Sequence, residues 1–346
     1  MEKKVYSSID IAKLFFCSCI IALHTNAIQD ICNEFIYWYI VRCIYRLAVP
    51  FFFVSSGFMI GLKINKNPLK ADEYVKKYIQ RLFIPLIIFG SINTILEIVK
   101  MMINGVNVEL IINDVRRAII FYPYGAMWYV QASIVAICLL YVFIKKKLIN
   151  CAVIIGILLY AFALVANSYY FLTLGTVYGK IVDSYRLTFI SARNGLFVGF
   201  LFVGLGIWLS NHIKQLHSRE KIKYSVICLI VSYILLIIEV SFVHGKKVVD
   251  DCSMFISFII LIPSLVVILT YINSNISNKV SVLVRNLSTG MYFLHRAILA
   301  YIVIVCSIAG YTISSLVTFI IVYGLCLFIC LISYKHEKNQ FVDLLR

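Results

Sequence analysis

The sequence predicts an all-α, polytopic integral membrane protein with about ten transmembrane helices and both termini in the cytoplasm. Three observations lead there. Hydrophobic residues fill 62% of the 346 positions and charged residues 14%, with a mean hydropathy of +0.94, whereas a soluble domain carries about 25% charged residues. The apolar runs are about twenty residues long rather than alternating segments of about ten, which selects helices over a barrel. The cations behind the net charge of +16 gather in alternate short loops between those runs. In a soluble chain that charge would suggest nucleic acid; here it is the positive-inside pattern, so the expected partner is the lipid bilayer of the cytoplasmic membrane and no nucleic acid.

Taken in order, the first span covers residues 8–27. The basic start followed by an apolar run has the look of a signal peptide, yet Asp10 and Lys13 interrupt it and no small-residue cleavage site follows, so a retained span is expected. After the polar residues 25–34 comes the stretch 35–62, which opens on Phe35, Tyr37, Trp38 and Tyr39 and holds Arg42 and Arg46 one turn apart. Residues 63–81 set Lys63, Lys66, Lys70, Lys76, Lys77 and Arg81 against Asp72 and Glu73 and should stay in the cytoplasm. The remaining spans are 82–102, 127–144, 148–166, 189–210, 224–243, 252–271, 287–309 and 311–334. Basic residues at 145–147, 212–223, 273–285 and 335–346 fall on the side of 63–81; Lys246 and Lys247 are the exception, offset by Asp250 and Asp251. The longer outer connections, 104–124 and 167–188, are rich in Tyr, Asn and Gly and suit an acceptor surface. With no internal repeat or linker, residues 1–346 read as a single membrane-embedded domain. Reporter fusions are expected to place 63–81 and the carboxyl terminus in the cytoplasm; an exported 145–147 loop would overturn this topology.

The first span carries ionisable groups where lipid would favour none. At about 100° per residue, Lys13 and His24 lie within about 20° of each other and Asp10 falls on the same stripe. Eleven residues at about 1.5 Å put the imidazole roughly 16 Å beyond the ammonium, half of a bilayer core. Groups stacked through membrane depth line a cavity or pathway, because charges facing lipid are costly. The plain alternative is a snorkelling lysine and an interfacial histidine. Lys13, Lys76, Lys77 and Arg81 suit a phosphorylated donor at the cytoplasmic mouth. Arg46 falls toward the outer side. Two intramembrane carboxylates, Glu97 and Glu239, are functional candidates by default, and Glu239 is nearer the outer level of His24, where it would orient the imidazole or help take a proton. Arg193, at the outer start of the sixth span, suits a developing oxyanion or an anionic acceptor; Trp128 and Tyr129 have the composition of an interfacial belt. His295, about two turns inside the cytoplasmic face, suits contact with a donor. The eleven cysteines include no CxxC pair and no histidine at metal spacing, so Cys17, Cys19, Cys138, Cys252, Cys326 and Cys330 read as small core residues and no metal is expected.

These residues resemble a known family. A Lys or Arg, ten residues, then His in the first span is the signature of the acyltransferase 3 family, polytopic membrane enzymes that modify carbohydrates and cell-envelope polymers; Lys13 and His24 fit it. Arg46-Leu-Ala-Val-Pro50-Phe51-Phe52-Phe53-Val-Ser-Ser56-Gly57-Phe58 resembles the family's second-span arginine and PxFF…SGF run. Arg81-Leu-Phe-Ile-Pro85 is similar to its basic entry to the third span, Met127-Trp128-Tyr129 to its aromatic position, and Tyr292-Phe293-Leu294-His295 to its late YxxH. Arg193-Asn194-Gly195-Leu196-Phe197, Gly204-Leu205-Gly206 and Glu239 resemble a branch that includes the membrane half of vancomycin-resistance serine racemases. This sequence shows neither a racemase domain nor an appended esterase-like domain, so racemisation is not expected, and transfer is expected to be completed within the membrane fold.

The resemblance implies a membrane O-acyltransferase, in particular an O-acetyltransferase, moving an acyl group from cytoplasmic acyl-CoA (acetyl-CoA) to a hydroxyl of an extracytoplasmic glycan or lipid-linked acceptor, with no permanently bound cofactor. His24, Glu239 and Arg46 are then the catalytic candidates, and Asp10, Lys13, Arg81, Trp128, Arg193 and His295 the substrate-binding ones. Acyl transfer from a thioester needs a base or nucleophile matched to neutral pH, and histidine supplies either. The other class that accommodates buried charge and about ten spans is a transporter of a small polar solute such as an amino acid, although paired Gly/Pro-interrupted spans in corresponding halves are not seen.

Overall fold

The computed structural model describes residues 6–272 and 276–335; the basic tails at 1–4 and 336–346, and part of the 273–285 loop, lie outside the described residues. Thirteen α-helices are described: α1 Ser7–Thr25, α2 Glu34–Cys43, α3 Ala48–Lys66, α4 Ala71–Ile103, α5 Val108–Phe121, α6 Trp128–Lys145, α7 Ile149–Val165, α8 Val177–Phe189, α9 Phe200–Leu216, α10 Arg219–Val243, α11 Phe258–Ile272, α12 Asn278–Ala309 and α13 Ser315–Lys335. Among the described residues eight helical segments are long and apolar enough to cross a membrane, and α7 and α11 are shorter apolar helices, so each predicted span finds a helix. The protein is all-helical and multi-pass.

The stretch 35–62 is not one straight span. At Ile44, φ −122° and ψ −62° leave the helical region, and a 3-10 turn over Tyr45–Leu47 joins α2 to α3. The sixth span opens on a π-helical turn, Gly195–Gly199, whose first amides, those of Leu196 and Phe197, donate to the Asn194 side chain. Arg193 therefore sits just ahead of that span.

Both long connections contain a helix that hydropathy does not reveal. Asn107 caps α5 by accepting from the Glu109 amide at 2.8 Å. Its Ile111 and Ala118 are buried, while Val108, Leu110, Ile112, Ile119 and Ile120 are exposed. With 14 residues α5 is too short to span. A short helix with an uncovered apolar side suits the membrane surface.

The contacts divide the chain into two compact units. The first comprises Met1–Ala48, Ile84–Met127 and Asn273–Arg346, the second Val49–Phe83 and Trp128–Ile272. In the first, α1 packs against α12 and α13, which also pack on each other. Buried Asp10 ties the start of α1 to the start of α12: it accepts from the Ser281 hydroxyl at 2.8 Å and stands 3.9 Å from Arg285. Deep carboxylates are tolerated when paired in this way.

In the second unit α9 is the centre, packed by α6, α7 and α11. Its crossing with α3 is built from small residues. A Cβ added to Gly206 would stand 2.1 Å from the Val54 carbonyl oxygen and 2.6 Å from the Phe58 nitrogen; one on Gly57 would stand 2.1 Å from the Val203 oxygen. Gly57 and Gly61 on α3 and Gly206 and Ser210 on α9 thus form two small-xxx-small faces that bring backbones into contact, the means by which helices associate where lipid removes the hydrophobic drive. By contrast α10 leaves Ile227, Ile230, Ile234 and Ile238 exposed, and α13 leaves Ile320 and Phe328 exposed. Such rows carry no penalty in hydrocarbon. All eleven cysteines are free thiols; Cys17, Cys19, Cys252, Cys326 and Cys330 are buried as core residues, whereas Cys138 is exposed.

Candidate active site

The site assembles in the first unit, where α1 ends. Asn26 turns left-handed at φ 52°, and its amide closes back on the carbonyls of Ala22 and Leu23. Asparagine tolerates that conformation better than most residues, which makes it a good stop for a helix. The stop falls two residues after His24, so the imidazole occupies the last turn of α1, half-buried, with the Thr25 hydroxyl anchored to the Ile21 carbonyl at 2.9 Å beside it.

Against it comes α12. The rings of His24 and His295 stack with centroids 5.4 Å apart and planes 29° from parallel. Nδ1 of His295 lies 2.6 Å from the Tyr292 carbonyl oxygen. A carbonyl only accepts, so Nδ1 carries the hydrogen and Nε2 faces inward, buried and without a hydrogen-bond partner among the described residues. Tyr292 is held in turn by donating its hydroxyl to the Ala126 carbonyl at 2.7 Å, and Phe293 stacks on Phe89 of α4 at 5.2 Å. The Tyr292–His295 spacing is therefore structural logic: the carbonyl three residues back fixes the tautomer, and the same tyrosine's side chain fixes the helix.

The loop that supplies Ala126 is fastened to α5 and α4. Tyr124 donates to Asp114 at 2.7 Å. Burial, and then this bond to a carboxylate, push the Tyr124 hydroxyl well above its ordinary pKa. Gly125, at φ +69°, sits so close to Asn93 that an added Cβ would stand 2.2 Å from the side-chain Cγ.

A cavity of about 430 Å³ opens beside His24. Its polar wall includes His24, Asp30, Glu97, Lys100, Arg296 and Ser315, and Leu299, Val303 and Ile313 supply apolar surface. That volume is in the usual range for a small-molecule site. Lys100 pairs with Glu97 at 2.9 Å. Asp30 accepts from the Ser315 amide at 2.5 Å, capping α13. Charge sits on this wall at the level of membrane-length helices, so it demands either water or a polar occupant.

Of the nine catalytic and substrate-binding candidates read from the sequence, five fall in this unit, as does Glu97, the intramembrane carboxylate that lines the cavity. His24 and His295 are brought face to face: α1 and α12 start together at Asp10 and Ser281, and fourteen residues of helix carry each histidine to the same level, so His295 does not stand two turns from the cytoplasmic end as its place in the sequence suggests. Asp10 is engaged by Ser281 and Arg285, and Lys13 is half-buried on α1. Arg46 lies in the 3-10 turn after α2, where its charge and that of Arg42 act on Tyr37. The other four lie in the second unit. There the Arg193 guanidinium sits 5.7 Å from the Trp128 ring centroid and 3.8 Å from Asp251, a cation on an aromatic face. Glu239 accepts from the amides of Ile256 and Ser257, each at 2.9 Å, and from the Tyr169 hydroxyl, so its carboxylate holds the segment that leads into α11. Arg81 is exposed on α4. Sequence reasoning did not single out Arg296, Lys100 or Asp30. Arg296 carried a usable signal, a lone cation in an apolar span directly after His295; the other two sit near span ends, where charge is ordinary.

Two proteins named amino-acid racemase, both from Enterococcus faecalis, are similar to this chain. One is 27% identical over 236 residues, 66% of this chain and 31% of its own length; the other is 28% identical over 315 residues, 88% of this chain and 42% of its own. The chain thus spans less than half the length of these curated relatives. No solved structure matches it. A family model described as an acyltransferase domain, Acyl_transf_3, matches residues 6–335, nearly the whole chain and every residue of the cavity wall; the chain belongs to the acyltransferase 3 family.

Proposed function

We propose that this acyltransferase moves an acetyl group from acetyl-CoA, presented on the cytoplasmic side of the cytoplasmic membrane, to a hydroxyl of a cell-envelope glycan or lipid-linked sugar. The observation that carries the reading is His24: an imidazole in the last turn of the first span, on the wall of the cavity. In the transfer, the acceptor oxygen bonds to the thioester carbonyl carbon while the carbon–sulfur bond breaks, and one proton passes from the hydroxyl to the departing thiolate. An imidazole at the cavity serves this as the base that takes the proton and hands it to sulfur, or as the nucleophile that first carries the acetyl group. His295, whose Nδ1–H is given to the Tyr292 carbonyl, stacks beneath that ring.

The test is labelled acetyl-CoA supplied to the cytoplasmic side of vesicles, with label followed into a panel of glycan acceptors. Transfer by the wild type supports the reading; no transfer across the panel, with uptake of a small polar solute in the absence of acetyl-CoA, replaces it with a carrier. In the same assay Lys13→Arg should keep most activity, because either cation attracts the donor's phosphates, while Lys13→Ala should raise the KM for acetyl-CoA at least about tenfold. Unchanged donor kinetics in Lys13→Ala would make Lys13 a snorkelling residue.

A further inference from the structure

Arg296 is a charged group on the cavity wall without a committed partner among the described residues. Glu97 is bound to Lys100 and Asp30 to the Ser315 amide. Among the described residues Arg296 makes neither a hydrogen bond nor an ion pair; the carboxylate of Glu97 acts on it only through space. A guanidinium within a 32-residue apolar helix is costly unless something pairs with it. Its planar fork of N–H donors matches the two oxygens of a carboxylate or phosphate.

We propose that Arg296 is the recognition residue of an oxyanion-binding subsite, and that the acceptor hydroxyl brought to His24 belongs to a molecule that also carries a carboxylate or a phosphate. This rests on the transfer reading above and names the acceptor's chemistry. The cavity argues for the acceptor over the donor as the source of the anion. Its 430 Å³ suits a group the size of one sugar with its charged substituent, whereas a coenzyme A thioester would keep most of its length, and with it its phosphates, outside. The wall is also graded as such a ligand would need. It carries His24, Arg296 and the Glu97–Lys100 pair for the polar groups, and Leu299 and Val303 as apolar surface for a ring face.

The experiment compares glucose, glucuronate and glucose 6-phosphate, which share a ring and differ in the anion, on the full-length protein in vesicles and in purified form. Wild type should transfer label to the two anionic compounds at least about tenfold better in kcat/KM than to glucose. Arg296→Gln should erase that preference through the acceptor KM, with the KM for acetyl-CoA unchanged, and Arg296→Lys should keep part of it. Binding is read separately, as the thermal stabilisation that each compound gives to purified His24→Ala and to His24→Ala combined with Arg296→Gln. Stabilisation by the anionic compounds that is lost with Arg296 supports the subsite even if no transfer occurs, in which case the transfer reading alone fails. Equal discrimination by wild type and Arg296→Gln, or no stabilisation by either anionic compound, overturns the proposal. A rise in the acetyl-CoA KM alone assigns the anion to the donor's phosphates and overturns it as well. Arg296→Lys serves as the folding control should Arg296→Gln prove unstable.

Discussion

His24→Ala should lower acyl transfer by a factor of at least about 10², the usual consequence of removing a positioned base or nucleophile. Its membrane insertion and its thermal stability should stay close to the wild type. Alanine is a small helix former in the last turn of α1, and the left-handed stop at Asn26 closes on backbone carbonyls that the substitution does not touch. The loss should fall on kcat at saturating donor and acceptor, because the imidazole acts on the reacting atoms rather than on distant parts of either substrate. Equal transfer by the two proteins would remove His24 from the mechanism. His24→Gln separates chemistry from shape, since it keeps polarity beside His295 without a basic nitrogen, and it should be as inactive as the alanine variant.

The largest stability effect is expected at Gly206. Even a methyl group there would meet the Val54 carbonyl at 2.1 Å and the Phe58 nitrogen at 2.6 Å, both backbone atoms that no rotamer change can move aside. Overpacking a close-packed crossing usually costs about 1–3 kcal/mol, and Gly206→Val should reach or exceed the top of that range because α3 and α9 must separate. Gly204, two residues away on the helix, provides the internal comparison: its Cβ would find only the Leu140 side chain at 3.4 Å, ordinary contact distance. Heating the detergent-solubilised variants and following monodisperse protein should show Gly204→Ala near wild type and Gly206→Val strongly destabilised. Similar melting of the two would mean that the α3–α9 contact is looser than described.

The spans were legible because a helix that must bury its backbone polar groups in hydrocarbon needs a long apolar run, and hydropathy counts such runs directly. The stripe of Asp10, Lys13 and His24 was legible for a similar reason: it needs only the pitch of one helix. Whatever depended on a second element was not. Asp10 finds Ser281, 271 positions away in sequence, and nothing in the first span announces that the carboxylate is already engaged. Glu239 looked like a free intramembrane acid, yet its partners are backbone amides, which every sequence has in equal supply. Arg296 was overshadowed by its neighbour, since a histidine suggests chemistry more readily than an arginine does. The helix α5 was missed because its apolar residues are spaced around a short amphipathic turn rather than gathered in a run, so an averaged hydropathy flattens them.

That surface helix bears on how the enzyme would experience its surroundings. From Asp114 on α5 a series of bonds runs through the Tyr124 hydroxyl and the loop to the Ala126 carbonyl, on to Tyr292, and through the Tyr292 carbonyl to the ring of His295 beneath His24. One end of the series lies on α5, whose exposed apolar side suits a place among headgroups, and the other at the imidazole pair. Headgroup charge and spacing are then inputs to catalysis: turnover in nanodiscs should change as anionic lipid is varied, and Tyr124→Phe, which cuts the series at its first bond, should flatten that response while leaving the protein active. An identical lipid dependence in Tyr124→Phe would show that the bilayer acts on the enzyme by another route.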